Sequence, residues 1–190
     1  MDKCFVPSDA LNEKAQSRGL DPSQIIQYGL PIRKGFWNTG SEVKEEPAPS
    51  RFLDRFRKGK EKPETNTKSE KDQLRSDLGL DESLPTVLVV GGGDGMGGIV
   101  EIATELGQSL GESSTSPAYQ MVVVCGSNAE AKNKLENEDF GAGVKVLVNG
   151  FVNNMDEWMN ASDALVTKAG PGTIAEASIC GLPCMLFAFL

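Results

Sequence analysis

Apolar residues in the second half of the chain come in short, nearly unbroken runs. They are Pro85–Val90 (PTVLVV), Tyr119–Val124 (YQMVVV), Val144–Val148 (VKVLV), Asp163–Thr167 (DALVT) and CMLFAFL after Pro183. Runs of this length, rich in Val and Leu, predict strands buried on both faces. Between them the period changes. Ile99, Ile102, Ala103, Leu106 and Leu110 recur at three- and four-residue steps, which predicts an amphipathic helix over Ile99–Leu110. Shorter helices are predicted over Ala129–Glu138, Met155–Asn160 and Thr173–Ile179, the last stopped by Gly181. Another, Gln73–Leu78, precedes the first strand and ends at Gly79. Strands alternating with helices in this way predict an α/β fold, a Rossmann-like parallel sheet.

The first 37 residues carry one smaller copy of that grammar. Lys3–Val6 and Gln24–Tyr28 read as strands, joined by a helix Asp9–Arg18 with Ser8 as its cap and Gly19 as its stop. One crossover is too little for an independent core, so residues 1–37 are expected to be the end of a preceding domain. Residues 38–72 are rich in Pro, Glu, Lys, Ser and Thr and predict a disordered linker or insertion. Within it, Arg51–Lys62 sets six basic and two acidic residues around Phe52, Leu53 and Phe56. That segment is either a solvated charge run or a basic amphipathic stretch touching an anionic membrane. Residues 73–190 form the main domain. An N-terminus that enters a strand almost at once, and a C-terminus inside an apolar run, predict a piece of a longer protein.

Charge and composition narrow the chemistry. A net charge of −8 gives no nucleic-acid signature. No apolar run approaches the ~20 residues that span a bilayer. The chain contains no histidine, which excludes Ser-His-Asp and Cys-His catalysis by these residues alone. Without histidine, Cys180 and Cys184 lack the partners of a zinc set. All four cysteines (Cys4, Cys125, Cys180, Cys184) are expected as buried free thiols, which suit a reducing compartment.

Candidate chemistry gathers where strands end, the ligand side of a parallel sheet. After the first strand of the main domain comes Gly91-Gly92-Gly93-Asp94-Gly95-Met96-Gly97-Gly98, where backbone N–H groups can approach an anion. After the fourth comes Lys168-Ala169-Gly170-Pro171-Gly172-Thr173, leading into a helix whose second turn holds Glu176. A helix N-terminus behind a glycine turn suits a phosphate, and Glu176 is placed to accept hydrogen bonds from sugar hydroxyls. Either turn alone is also what any strand-to-helix connection requires. Lys168 either pairs with a diphosphate or is solvated. Phe151 and Val152, past the third strand, either flank a flat base or are core residues. The second strand ends in Cys125-Gly126-Ser127-Asn128 with no carboxylate, which disfavours a dinucleotide.

These segments occur in one order: GLPIR at 29–33, GGGDGMGG at 91–98, CGSN at 125–128, GFV at 150–152, KAGPGTIAEA at 168–177 and GLP at 181–183. Together they resemble the monogalactosyldiacylglycerol synthases of plants and algae, and are similar to the bacterial peptidoglycan N-acetylglucosaminyl transferase and to processive diacylglycerol glucosyltransferases. The resemblance implies the C-terminal domain of a GT-B glycosyltransferase with a remnant of its N-terminal, acceptor-binding domain. It implies inverting transfer of galactose from UDP-galactose to diacylglycerol, without a metal or other cofactor. Carried over, Gly93, Asp94, Gly95, Met96 and Gly97, with Gly126, Lys168, Gly170, Pro171, Gly172 and Thr173, line the UDP-sugar. Phe151 and Val152 lie at the uracil and Glu176 binds the ribose. The general base and the acceptor surface belong to the N-terminal domain, so no catalytic residue is expected within this chain and the isolated chain is expected to be inactive. The resemblance also implies a plastid envelope location with peripheral membrane association. Another UDP-sugar hexosyltransferase with a lipid or lipid-linked acceptor, and a non-catalytic nucleotide-binding fragment, remain open alternatives.

Overall fold

A computed structural model of the chain describes residues 3–37, 69–91 and 98–188. It divides into two compact units, Met1–Lys34 and Gly35–Leu190. The expected linker at 38–68, including Arg51–Lys62, lies outside the described residues.

In the first unit, strands β1 (Cys4–Val6) and β2 (Ile25–Gln27) pair in parallel around helix α1 (Asp9–Ser17). Ser8 stands at the N-cap with extended backbone, yet its hydroxyl makes no capping bond. The cap works instead at Asp21, where a 3-10 turn (Pro22–Gln24) opens with a reciprocal capping box: the Asp21 carboxylate accepts from Ser23 N (2.8 Å) and Gln24 Oε1 accepts from Asp21 N (3.0 Å). No residue of α1 is buried, and Phe5 stacks on Tyr28 in the open at 6.1 Å. The unit therefore has almost no core, as the single crossover predicts.

The second unit begins with a 3-10 turn, Lys34–Trp37, whose Phe36 is buried. Helix α2 (Glu70–Asp77) starts three residues earlier than its apolar spacing predicts. Ser69 caps it, accepting from Asp72 N while the Asp72 carboxylate accepts from Ser69 N. Residues 69–72, expected in the linker, are thus helix and its cap.

Five strands follow: β3 (Thr86–Val90), β4 (Tyr119–Val124), β5 (Val144–Asn149), β6 (Ala164–Lys168) and β7 (Cys184–Ala188). They pair in parallel in the order β5-β4-β3-β6-β7. Between them run α3 (Ile99–Glu112), α4 (Ala129–Glu136), α5 (Met155–Ala161) and α6 (Pro171–Ile179). The chain winds outward from β3 to β5, returns over the sheet, and winds outward again from β6 to β7. Right-handed crossovers then force the two sets of helices to opposite faces. On one face Ile99, Ala103, Ala131 and Leu135 from α3 and α4 meet Val89, Met121, Val123, Val144 and Val166. The other face carries Leu88, Val122 and Leu165, all fully buried.

Close approach of backbone sets the packing of α3. A side chain at Gly107 would collide with the Phe140 ring, and one at Gly111 with the Phe140 carbonyl. Gly143 N donates to Gly111 O (3.0 Å), fastening the helix to the entrance of β5.

At the N-terminal edge of the sheet, polar groups are mutually satisfied. Arg75, 6% exposed, donates to Asp163 Oδ2 (2.6 Å) and to the Ala161 carbonyl (2.9 Å), and Lys71 reaches Asp163 Oδ1 (2.6 Å). Thr86 N donates to the same carboxylate (2.8 Å). Burial raises the Asp163 pKa, but the bonds from Lys71 and Thr86 outweigh it and hold the carboxyl below its usual value. Buried Gln120 donates to Thr86 Oγ1 (2.8 Å) and accepts from Asp81 N (2.9 Å).

Two expectations are corrected at β7. It pairs with β6 alone among the described strands, so it is an edge: Met185 is 66% exposed and Cys184 is exposed too. An apolar run alone does not say how many neighbours a strand has. All four cysteines are free, as expected, but Cys125 is the buried one; Cys4 and Cys180 are partly buried.

Candidate functional site

The strand order puts the two glycine-rich exits side by side. Val90 pairs with Thr167, and Thr167 Oγ1, buried, donates across to the Val90 carbonyl (3.0 Å). From this adjacent pair α3 leaves toward one face and α6 toward the other. This is the switch point, where the diverging loops leave a crevice for a ligand.

At the β3 exit Gly91 is buried, and a Cβ there would come within 2.9 Å of the Ile99 side chain. A β-carbon at 91 would therefore press on Ile99, so glycine here suits the close packing of α3. Gly93, Asp94, Gly95, Met96 and Gly97 lie outside the described residues. The helix opens at Gly98, whose left-handed φ of 78° a β-carbon would strain.

The β6 exit behaves differently. A register irregularity between Thr167 and Lys168 shifts the pairing with β7, so that Lys168 meets Ala188, and Gly170 N donates back to the Lys168 carbonyl (2.7 Å). Gly170 is the N-cap of α6 and Pro171 its first residue, two positions before the predicted start. Proline fits there because its fixed φ is helical and its missing N–H has no intrahelical role. No side chain caps this helix end. Gly170 and Gly172 have ordinary φ, and a Cβ at Gly172 would meet nothing within 4 Å among the described residues. Neither backbone conformation nor packing against the described residues demands glycine at 172. The N–H groups of Gly172 and Thr173 lie in the helix's first turn, where intrahelical acceptors are lacking.

Glu176 sits in the second turn of α6, 4% exposed. Cys180, one turn on, has its thiol pushed up to about 11, first by burial and then by the charges of Asp156 and Glu176. Asp156 belongs to α5, so α5 and α6 bring their carboxylates to the same side of the sheet. Lys168 ends β6 partly buried.

The β4 and β5 exits also meet. Cys125 N donates to the Asn149 carbonyl (2.8 Å), and a Cβ on Gly150 would lie 3.7 Å from the Gly126 carbonyl. Gly126 turns at a φ of +60°, and Asn128 then caps α4 by accepting from Ala131 N (2.9 Å). Phe151 is 69% exposed and Val152 partly buried. Phe151 is not a core residue; its ring stands in the open at the strand end.

Sequence reasoning passed over Asn149. It ends β5 opposite Val124, and its Nδ2 is sealed from solvent with no hydrogen-bond partner among the described residues. The signal was present as an amide closing an otherwise apolar run, VKVLVN. It also passed over Asp163 and Arg75, whose union depends on a separation of 88 residues.

Residues 86–189 match the glycosyltransferase family 28 C-terminal domain. The chain is 40% identical over 189 residues to the probable monogalactosyldiacylglycerol synthase 2, chloroplastic, of Oryza sativa subsp. indica, covering 99% of this chain and 34% of that protein. It is 39% identical over 185 residues to the monogalactosyldiacylglycerol synthase, chloroplastic, of Spinacia oleracea, 97% of this chain and 30% of that protein. With monogalactosyldiacylglycerol synthase 3, chloroplastic, of Arabidopsis thaliana the identity is 40% over 185 residues, 97% of this chain and 33% of that protein. The chain thus spans about a third of the length of these curated relatives. Among solved structures, WaaG, a glycosyltransferase involved in lipopolysaccharide biosynthesis, shares the fold with a TM-score of 0.54 at 20% identity, over 96% of this chain and 43% of that one.

Proposed function

Because the chain belongs to glycosyltransferase family 28, whose C-terminal domain it carries, we propose that it forms the donor-nucleotide half of a UDP-galactose:1,2-diacylglycerol 3-beta-galactosyltransferase. The observation that carries this reading is the meeting of the β3 and β6 exits at the switch point. One of them opens a helix at glycines that packing against the described residues does not require. The relatives named monogalactosyldiacylglycerol synthases support the choice of donor and acceptor.

In this reading the UDP diphosphate lies against the N–H groups of Gly172 and Thr173, with Gly93–Gly97 facing it and Lys168 adding charge. Phe151 and Val152 lie at the uracil, Gly126 beside them, and Glu176 takes the ribose hydroxyls. The acceptor hydroxyl of diacylglycerol attacks the anomeric carbon on the face opposite UDP. The bond to the diphosphate oxygen breaks, configuration inverts, and the hydroxyl proton passes to a base that these residues do not supply. Charge builds on the leaving diphosphate as that bond breaks, so fixed N–H donors aimed at it lower the barrier. Residues 1–37 are then the end of the acceptor-binding half, and 38–68 the connection. Relatives named chloroplastic support a plastid setting, and peripheral attachment to the envelope and to anionic lipids is part of the same proposal; no helix among the described residues is long and apolar enough to cross a membrane.

Titration of the chain with UDP tests the donor site. Glu176→Gln keeps the shape of the side chain but removes the charge that best accepts hydroxyl protons. UDP affinity is expected to fall by roughly tenfold, the worth of one charged hydrogen bond. UMP and UDP binding equally well, or Glu176→Gln leaving affinity unchanged, would remove the diphosphate or the ribose assignment respectively.

A further inference from the structure

The described residues leave one buried side-chain donor without an acceptor, and it stands at the lip of the site. Asn149 Nδ2 is sealed from solvent and unpaired. Its main chain cannot move to find a partner, because the Asn149 carbonyl accepts from Cys125 N (2.8 Å) within the β4–β5 ladder. A buried amide N–H left unmade is unfavourable in any fold, and native proteins rarely keep one.

The segment that follows has freedom that the strand lacks. Gly150 is loosely surrounded, with nothing closer than 3.7 Å to an added Cβ. The Phe151 ring is 69% exposed. Asn154, the N-cap of α5, makes no capping bond; its Oδ1 accepts from Trp158 Nε1 (3.2 Å) and its Nδ2 donates to Glu157 (2.6 Å). An unmet donor at one end, an uncovered ring in the middle and no side-chain cap at the other describe a segment with room for a second arrangement.

We propose that Asn149 is a positioning residue: when a nucleotide base covers Phe151, the Gly150–Asn154 segment closes and presents an acceptor to Asn149 Nδ2. Because Nδ2 is sealed, this donor acts through the segment and does not itself touch the ligand. The inference rests on the nucleotide-sugar reading above and adds to it a device that links base binding to closure. Its energetic logic is a differential one. The hydrogen bond exists only in the closed state, so it adds to ligand affinity and nothing to the stability of the empty protein.

The test is Asn149→Leu in the full chain, which keeps the bulk and deletes the donor. Without ligand, thermal stability is expected to stay equal or rise, since an unmet polar group has been replaced by an apolar one. UDP affinity is expected to fall about tenfold, one hydrogen bond's worth. Backbone amide exchange across Phe151–Asn154 should slow on adding UDP to the wild type and stay fast in the variant. A lower melting temperature without ligand would mean that Asn149 is already satisfied, by a sealed water for instance, and would overturn the proposal. So would unchanged UDP affinity with unchanged exchange. If the wild type itself fails to bind UDP, the nucleotide-site reading falls first and this one with it.

Discussion

Gly172→Ala separates what the fold needs from what a ligand needs. The residue sits second in α6, its φ is ordinary, and an added methyl meets nothing within 4 Å among the described residues. For the empty protein the substitution is therefore favourable: Ala exceeds Gly in a helix by up to about 1 kcal/mol, partly because the unfolded chain loses freedom. A unit of this size shifts its melting temperature by roughly 2–4 °C per kcal/mol, so a rise of about 1–4 °C is expected. For a diphosphate seated on the Gly172 and Thr173 N–H groups, the methyl occupies the ligand's space. Losing one charge-assisted hydrogen bond, at about 1.5–3 kcal/mol, weakens UDP binding by about ten- to 150-fold. Differential scanning calorimetry without ligand and isothermal titration with UDP read the two effects separately. A raised melting temperature with undiminished UDP affinity would refute the placement of phosphate on this helix end. A lowered melting temperature would refute the reasoning about open space.

Gly111→Ala should behave oppositely, because its Cβ would strike the Phe140 carbonyl and force α3 off the sheet; a loss of about 1–3 kcal/mol in urea unfolding is expected, against a near-neutral Gly29→Ala, where nothing lies within 4 Å. Asp163 has a depressed pKa, so its contribution is present above its unfolded value of about 3.9 and is lost as pH falls through the lower folded value. Urea unfolding free energies of wild type and Asp163→Asn should differ by about 1 kcal/mol at pH 7, kept small because Asp163 is 43% exposed, and the gap should begin to shrink below pH ~4 and close as pH falls through the lowered folded value; a gap that does not shrink with falling pH would argue against the ion pairs as its source.

Much of the fold could be read along the chain because its signals are local. Val-rich runs and the three-four spacing of Ile99–Leu110 identify strands and a helix whatever their neighbours. Boundaries failed where local hydrogen-bond chemistry outranked apolar spacing: Ser69 with Asp72 started α2 early, and Pro171 began α6 two residues ahead of Thr173. Cysteines at 180 and 184 sit in similar sequence, yet only the second is exposed, since β7 has one paired edge among the described strands.

The site divides along the same line. That residues 168–176 join a strand to a helix through glycines, with a carboxylate one turn in, was contained in the sequence, because turns and helix starts depend on near neighbours. That this turn stands beside the β3 exit depends on strand order, which brings together Val90 and Thr167 across 77 residues. That Gly91 serves packing while Gly172 does not depends on what lies opposite each, the Ile99 side chain in one case and open space in the other. The exposed ring of Phe151 and the stranded amide of Asn149 are likewise tertiary facts. Asn149 and Phe151 stand two apart at one strand end, and only the surrounding chain decides that the polar Nδ2 is sealed and the apolar ring left open.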